Sequence, residues 1–160
     1  MAIARLTEYL DTHRIPYVLI THSPAYTAQG IAALAHIPGK ELAKTVIVKL
    51  NGDLAMAVLP ANFHVDLVSL KTGAHVRTAS LASEEDFRDR FSECETGAMP
   101  PFGNLYGLAV FADDSLEKDI AIAFNAGTHR ELIRMAWADF KRLVAPVMLR
   151  FAVGRPAEAA

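Results

Sequence analysis

Lys44-Thr45-Val46-Ile47-Val48-Lys49-Leu50-Asn51-Gly52-Asp53-Leu54-Ala55-Met56-Ala57-Val58-Leu59-Pro60 is the stretch that decides the fold. Lys44–Leu50 is rich in β-branched residues, Asn51-Gly52 is the strongest short hairpin signal, and Asp53–Pro60 returns as a second apolar run. The stretch predicts an antiparallel hairpin. On a period of two, Lys44, Val46 and Val48 face one side of the first strand, and Thr45, Ile47 and Lys49 face the other.

Upstream, Ile3, Leu6 and Leu10 recur at helical spacing and predict a helix near residues 2–13, followed by a short strand over Pro16–Thr21. His22-Ser23-Pro24 reads as a turn, after which Thr27 can cap a helix that ends at Pro38-Gly39. Downstream, Val65–Lys71 reads as a helix, and Ser83 with Asp86 opens another to about Phe91. Cys94–Asn104 holds Gly97, Pro100, Pro101 and Gly103, too many breakers for a helix or a central strand, so it is a shaped loop. Strands are expected at Leu105–Phe111 and Asp119–Phe124, and a helix from Trp137 to Val144. Periodicity does not decide Arg130–Met135. Helices at the start and a hairpin amid mixed strands indicate an α+β fold, one domain over residues 1–155 with a mixed, mainly antiparallel sheet flanked by helices. Residues 156–160 read as a flexible tail. A doubly wound parallel sheet lacks support, since neither common phosphate-loop motif occurs.

At 160 residues, with 52% hydrophobic and 21% charged, the chain is long enough to bury a real core and far from the signature of disorder. Its apolar runs are too short to span a bilayer, and a lone cysteine, Cys94, forms no internal disulfide. A cytoplasmic protein with no membrane and no DNA partner is expected. A net charge of −2 argues against coating many phosphates, so any RNA contact must be local, as at the end of a tRNA.

The histidines His13, His22, His36, His64, His75 and His129 are scattered without metal-ligand spacing, and no G-x-S-x-G elbow occurs. No metal and no cofactor is expected. Cys94 is either a nucleophile or a small buried residue. Three segments stand out. Lys44 enters an apolar strand, either snorkelling to water or aimed at a ligand. Gly97-Ala98-Met99-Pro100-Pro101-Phe102-Gly103 is either a rigid backbone surface able to hold a carbonyl oxygen or a tight structural connection, with Phe102 as a packing anchor. Phe124-Asn125-Ala126-Gly127-Thr128-His129 is an apolar strand that ends in small residues and a histidine, either opening on a cleft or forming a plain turn.

Together and in this order, these segments resemble the family that includes YbaK, the ProX-type deacylases and the inserted editing domain of bacterial prolyl-tRNA synthetase. The likeness also takes in His22-Ser23-Pro24-Ala25-Tyr26-Thr27-Ala28-Gln29, Pro38-Gly39 and Met56–Ala61, and covers roughly residues 15–145. It implies an α+β fold whose cleft admits the aminoacylated 3′ adenosine of tRNA. It also implies hydrolysis in trans of the ester on tRNA mischarged with alanine, serine, threonine or cysteine. Thr128-His129 stands where the cysteine-directed branch has a more basic, glycine-containing segment.

The resemblance assigns Lys44 to the phosphate and ribose of the terminal adenosine, backbone N–H groups around Gly97 to the ester carbonyl, and His129 to positioning the aminoacyl group or ribose. It places His22, Tyr26, Thr45, Pro60, Met99, Pro100, Phe102, Asn125 and Gly127 around the substrate. The partner it implies is the aminoacyl-tRNA 3′ end, with a tRNA synthetase as a second candidate. Two other readings remain open on the residues alone: a small-ester hydrolase on the same scaffold, and a non-catalytic module that docks on tRNA or a synthetase.

Overall fold

A computed structural model of the protein describes residues 3–21 and 41–154. In chain order these form α1 (Ala4–Thr12), β1 (Tyr17–Thr21), β2 (Ala43–Leu50), β3 (Asp53–Pro60), β4 (Phe63–Val65), α2 (Leu67–Ala74), β5 (Ala79–Leu81) and α3 (Glu84–Phe87). They continue with β6 (Ala109–Asp113), β7 (Ala121–Asn125), β8 (Glu131–Ala136), α4 (Trp137–Val144), β9 (Val147–Leu149) and β10 (Ala152–Gly154). The turn expected at His22-Ser23-Pro24, the helix expected from Thr27 and the tail expected at 156–160 lie outside the described residues.

The hairpin forms in register from Ala43 against Pro60 to Leu50 against Asp53. Asn51 (φ 52°) and Gly52 (φ 85°) both take the left-handed conformation that a type I′ turn requires. The Asn51 side chain then extends the sheet. Its Oδ1 accepts from the N–H of Arg77 at 2.8 Å and of Thr78 at 3.2 Å, which seats β5 antiparallel on β2.

The resulting five-stranded sheet has the order β5-β2-β3-β6-β9, antiparallel up to β3 and parallel beyond it. A three-stranded antiparallel sheet, β1-β8-β7, stands beside it, and β4 pairs antiparallel with β10. The fold is therefore α+β with mixed, mainly antiparallel pairing. Both faces of the larger sheet are buried, which explains why β3 is apolar almost throughout. On one face Ile47, Met56 and Val58 pack with Leu6 and Leu10 of α1, Phe124 of β7 and Phe140 of α4. On the other, Val48, Ala57 and Leu59 pack with Leu70 of α2 and with Phe151.

Several boundaries move from their sequence positions, each for a local reason. The strand expected from Leu105 begins at Ala109, because Gly103–Leu105 wind into a 3-10 turn in which Tyr106 N and Leu108 N both donate to Gly103 O. The next strand starts at Ala121 instead of Asp119, after a 3-10 segment over Asp114–Lys118 capped by Asp113. The helix expected at Val65 starts at Leu67, since Asp66 caps Val68 N at 3.2 Å while Val65 stays in β4. Arg130–Met135 resolves as β8, the central strand between β1 and β7.

Candidate active site

Leu42 forms a parallel bridge to Ala123, which joins the start of β2 to β7. Arg134, opposite Ala123 on β8, reaches over the junction to Glu41 at 2.9 Å. Lys44 lies two residues beyond Leu42, and Asn125 two residues beyond Ala123, along this parallel pair. Lys44 begins the row that continues as Val46, Val48 and Leu50 toward the second core, and it is half-buried. Thr45 lies on the opposite face of β2, with Ile47, so Lys44 and Thr45 do not present side chains to one space. Pro60 is buried opposite Ala43 at the end of β3.

Beyond Asn125 the chain turns through Ala126 and Gly127 to His129, and this turn is laced to the loop before Pro100. Glu95 N donates to Gly127 O at 2.8 Å, Gly127 N to Ala98 O at 3.0 Å, and Ala98 N to Glu95 O at 3.0 Å. The Glu95 carboxylate accepts from His129 N at 2.6 Å. His129 Nε2 stands 2.7 Å from Thr96 O. A carbonyl only accepts, so Nε2 carries the proton, and in the neutral ring Nδ1 is the acceptor nitrogen. Gly97 (φ 84°) lies at the exposed crest of the loop, directly against the imidazole.

The structure thus brings Gly97, Gly127 and His129, from two separate segments, together just beyond Asn125 at the end of β7, while Lys44 stands on β2 two residues past the bridge to β7. Other residues nominated from sequence sit behind this group. Met99 and Pro100 are buried, and Phe102 is fully enclosed, with ring centroids 5.5 Å from Phe124 and 5.3 Å from Phe140. Phe102 anchors the loop to the core. Burial of such a ring contributes about 1.5–3 kcal/mol. His22 and Tyr26 lie outside the described residues. Asn125 Oδ1 is buried with no hydrogen-bond partner among the described residues. Glu95 and the Thr96 carbonyl were not legible in the sequence, because nothing near them points to a histidine 34 residues on.

The aminoacyl-tRNA editing domain, as a sequence family, matches residues 22–143. The chain belongs to that family. It is accordingly a hydrolase that cleaves aminoacyl-tRNA ester bonds. The multifunctional Ser/Thr-tRNA deacylase ProXp-y of Escherichia coli K12 is 28% identical over 152 residues, which cover 92% of this chain and 90% of that protein. In fold, the chain is similar to the crystal structure of hypothetical protein APE2540, with a TM-score of 0.83, 20% identity, and coverage of 93% of this chain and 99% of that one. It is also similar to a candidate trans-editing enzyme for prolyl tRNA synthetase, with a TM-score of 0.79, 19% identity, and coverage of 94% and 96%.

For an editing-family member, what surrounds the site matters as much as what is in it. Cys94 lies half-buried below the Gly97 loop beside a cavity of about 70 Å³, its Sγ 3.6 Å from Tyr106 Oη. Burial pushes its thiol up, away from the thiolate a nucleophile needs. Among the described residues no cluster of His, Cys, Asp and Glu could hold a metal ion, and no helix is long and apolar enough to cross a membrane. A groove of about 350 Å³ between Tyr17, Ile120 and Arg134 lies toward the far end of the three-stranded sheet and contains none of the nominated residues.

Proposed function

We propose that this protein acts in trans on mischarged tRNA and removes a small amino acid, with serine, threonine and alanine ahead of cysteine. The observation that carries the reading is the lacing of the Gly97 loop to His129 beside the mouth of β2. An aminoacyl ester is already activated, so its hydrolysis needs a placed water and a stabilised oxyanion more than a strong nucleophile. Ala98 N–H is committed to Glu95 O, and we assign the ester carbonyl to the backbone N–H of Gly97, an exposed residue of the same loop. Lys44 binds the phosphate or ribose of the terminal adenosine, and His129 positions the ribose or aminoacyl group. The likeness to a Ser/Thr-tRNA deacylase supports the choice of small hydroxylated residues. Such a reaction places the protein with the translation machinery in the cytoplasm.

The test is a comparison of initial deacylation rates on alanyl-, seryl-, threonyl-, cysteinyl- and prolyl-tRNA, run with the wild-type protein and Lys44→Ala. The small residues should turn over faster than proline. Lys44→Ala should lower the rate at least roughly tenfold with little change in thermal stability, because a cation near phosphate acts on the bound complex. Fastest turnover of prolyl-tRNA, or wild-type rates in Lys44→Ala, would overturn the assignment.

A further inference from the structure

Glu95 makes two contacts to the His129 turn that differ in kind. Its backbone N–H donates to Gly127 O at 2.8 Å, a contact any residue but proline can make. Its carboxylate takes the backbone N–H of His129 at 2.6 Å, and this bond depends on the side chain. A hydrogen bond from an amide to a carboxylate is charge-assisted and stronger than a neutral one. It is aimed at the residue whose ring also donates to the Thr96 carbonyl, one peptide away along the same loop. The histidine is therefore gripped at its backbone by residue 95 and at its imidazole by residue 96. Thr96 in turn is held from outside, its Oγ1 donating to Glu84 Oε1 at 3.2 Å.

We infer that Glu95 is a positioning residue for the hydrolytic site: its carboxylate sets the distance between His129 and the Gly97 loop and holds the imidazole with Nε2–H on Thr96 O. The inference rests on the functional reading above. Glu95 need not touch substrate. Its side chain is replaceable by another acceptor of the same reach, and not by a methyl group. A displacement of about 1 Å in a positioned group can cost as much as a hundredfold in rate, so loss of this anchor falls on kcat.

The experiment compares Glu95→Gln and Glu95→Ala in the full-length protein. Deacylation of seryl- or threonyl-tRNA is measured together with hydrogen exchange at the His129 amide and the ¹⁵N signature of its ring. Glu95→Ala should lower kcat at least roughly tenfold with KM within about threefold, speed exchange at His129 N–H, and lose the single Nε2–H ring form, while unfolding as cooperatively as wild type. Glu95→Gln, which keeps an acceptor oxygen, should recover most of kcat. Wild-type kcat in Glu95→Ala, a change confined to KM, or an unchanged His129 amide would overturn the inference. If the wild-type protein hydrolyses no charged tRNA, the functional reading fails, and the exchange and ring measurements still decide whether Glu95 holds His129.

Discussion

A methyl group built on Gly97 would sit 3.5 Å from Cε1 and 3.8 Å from Nε2 of His129, at ordinary van der Waals distance. Space therefore does not explain glycine here; its backbone does, at φ 84°. Gly97→Ala should cost about 1–2 kcal/mol if the loop keeps its shape. If it relaxes instead, the N–H proposed to meet the ester carbonyl moves. Either way deacylation should fall at least roughly tenfold, a loss read from initial rates beside a thermal melt. Wild-type rates with an unchanged melt would show that this conformation is not required.

Gly127 is a different case. A Cβ there would lie 2.5 Å from Ile3 Cγ2 and 3.2 Å from Cγ1, and its φ is 96°. Gly127→Ala should destabilise by about 2–4 kcal/mol, combining overpacking with left-handed strain. Ile3→Ala in the same chain should recover the steric part and leave the backbone part, giving a coupling of about 1 kcal/mol or more in a double-mutant cycle. Strict additivity would show that the two residues do not meet.

Cys94→Ser should stay folded and keep its deacylation rate within about twofold, because a thiol pushed up by burial is a packing group and not a nucleophile. Thiol-modifying reagents should react slowly with the native protein. An inactive but folded Cys94→Ser would restore covalent catalysis as an explanation.

Asp113 contributes to the acid limb of stability. Burial alone would raise its carboxyl, but hydrogen bonds from Ser115 Oγ and from the backbone N–H of Phe151, Ala152 and Ser115 outweigh it and hold the group below its ordinary 3.8. A carboxyl held low binds its proton less readily folded than unfolded. Its contribution is therefore full above the unfolded value and lost as pH falls below it toward the folded one. Asp113→Asn should cost about 2 kcal/mol near pH 7, and the gap to wild type should narrow below pH 4, as read by urea unfolding across pH. Parallel stability curves would contradict this.

The sequence disclosed those parts of the fold whose specification is local. The β2–β3 hairpin rests on Asn51-Gly52, α3 on the Ser83–Asp86 capping box, and α4 on an apolar stripe through Trp137, Phe140 and Val144, all within one element. The three-residue strands β4, β5, β9 and β10 are too short to show a period. Two of them are fixed from afar: β5 by Asn51, and the approach to β10 by Asp113 through Phe151 and Ala152. The same division runs through the site. Lys44, Gly97 and His129 belong to segments with a recognisable local pattern, whereas Glu95 acquires its place only when residues 95 and 129 meet in space.

Ile3 N–H donates to Ala126 O at 3.1 Å, and the Ile3 side chain lies on Gly127, so the amino-terminal end of the described chain braces the turn that carries His129. During synthesis α1 leaves the ribosome early and the strand it must meet leaves late, and a loop of that length closes slowly. The hairpin can form within its own stretch of chain, yet the proposed site cannot be assembled until residues near 130 have emerged. A nascent or carboxy-terminally truncated chain that stops short of that point would hold β2, β3, β5 and β6 of the larger sheet and lack the His129 turn. The contact between Ile3 and this turn therefore cannot close until Gly127 has emerged, however early α1 is made.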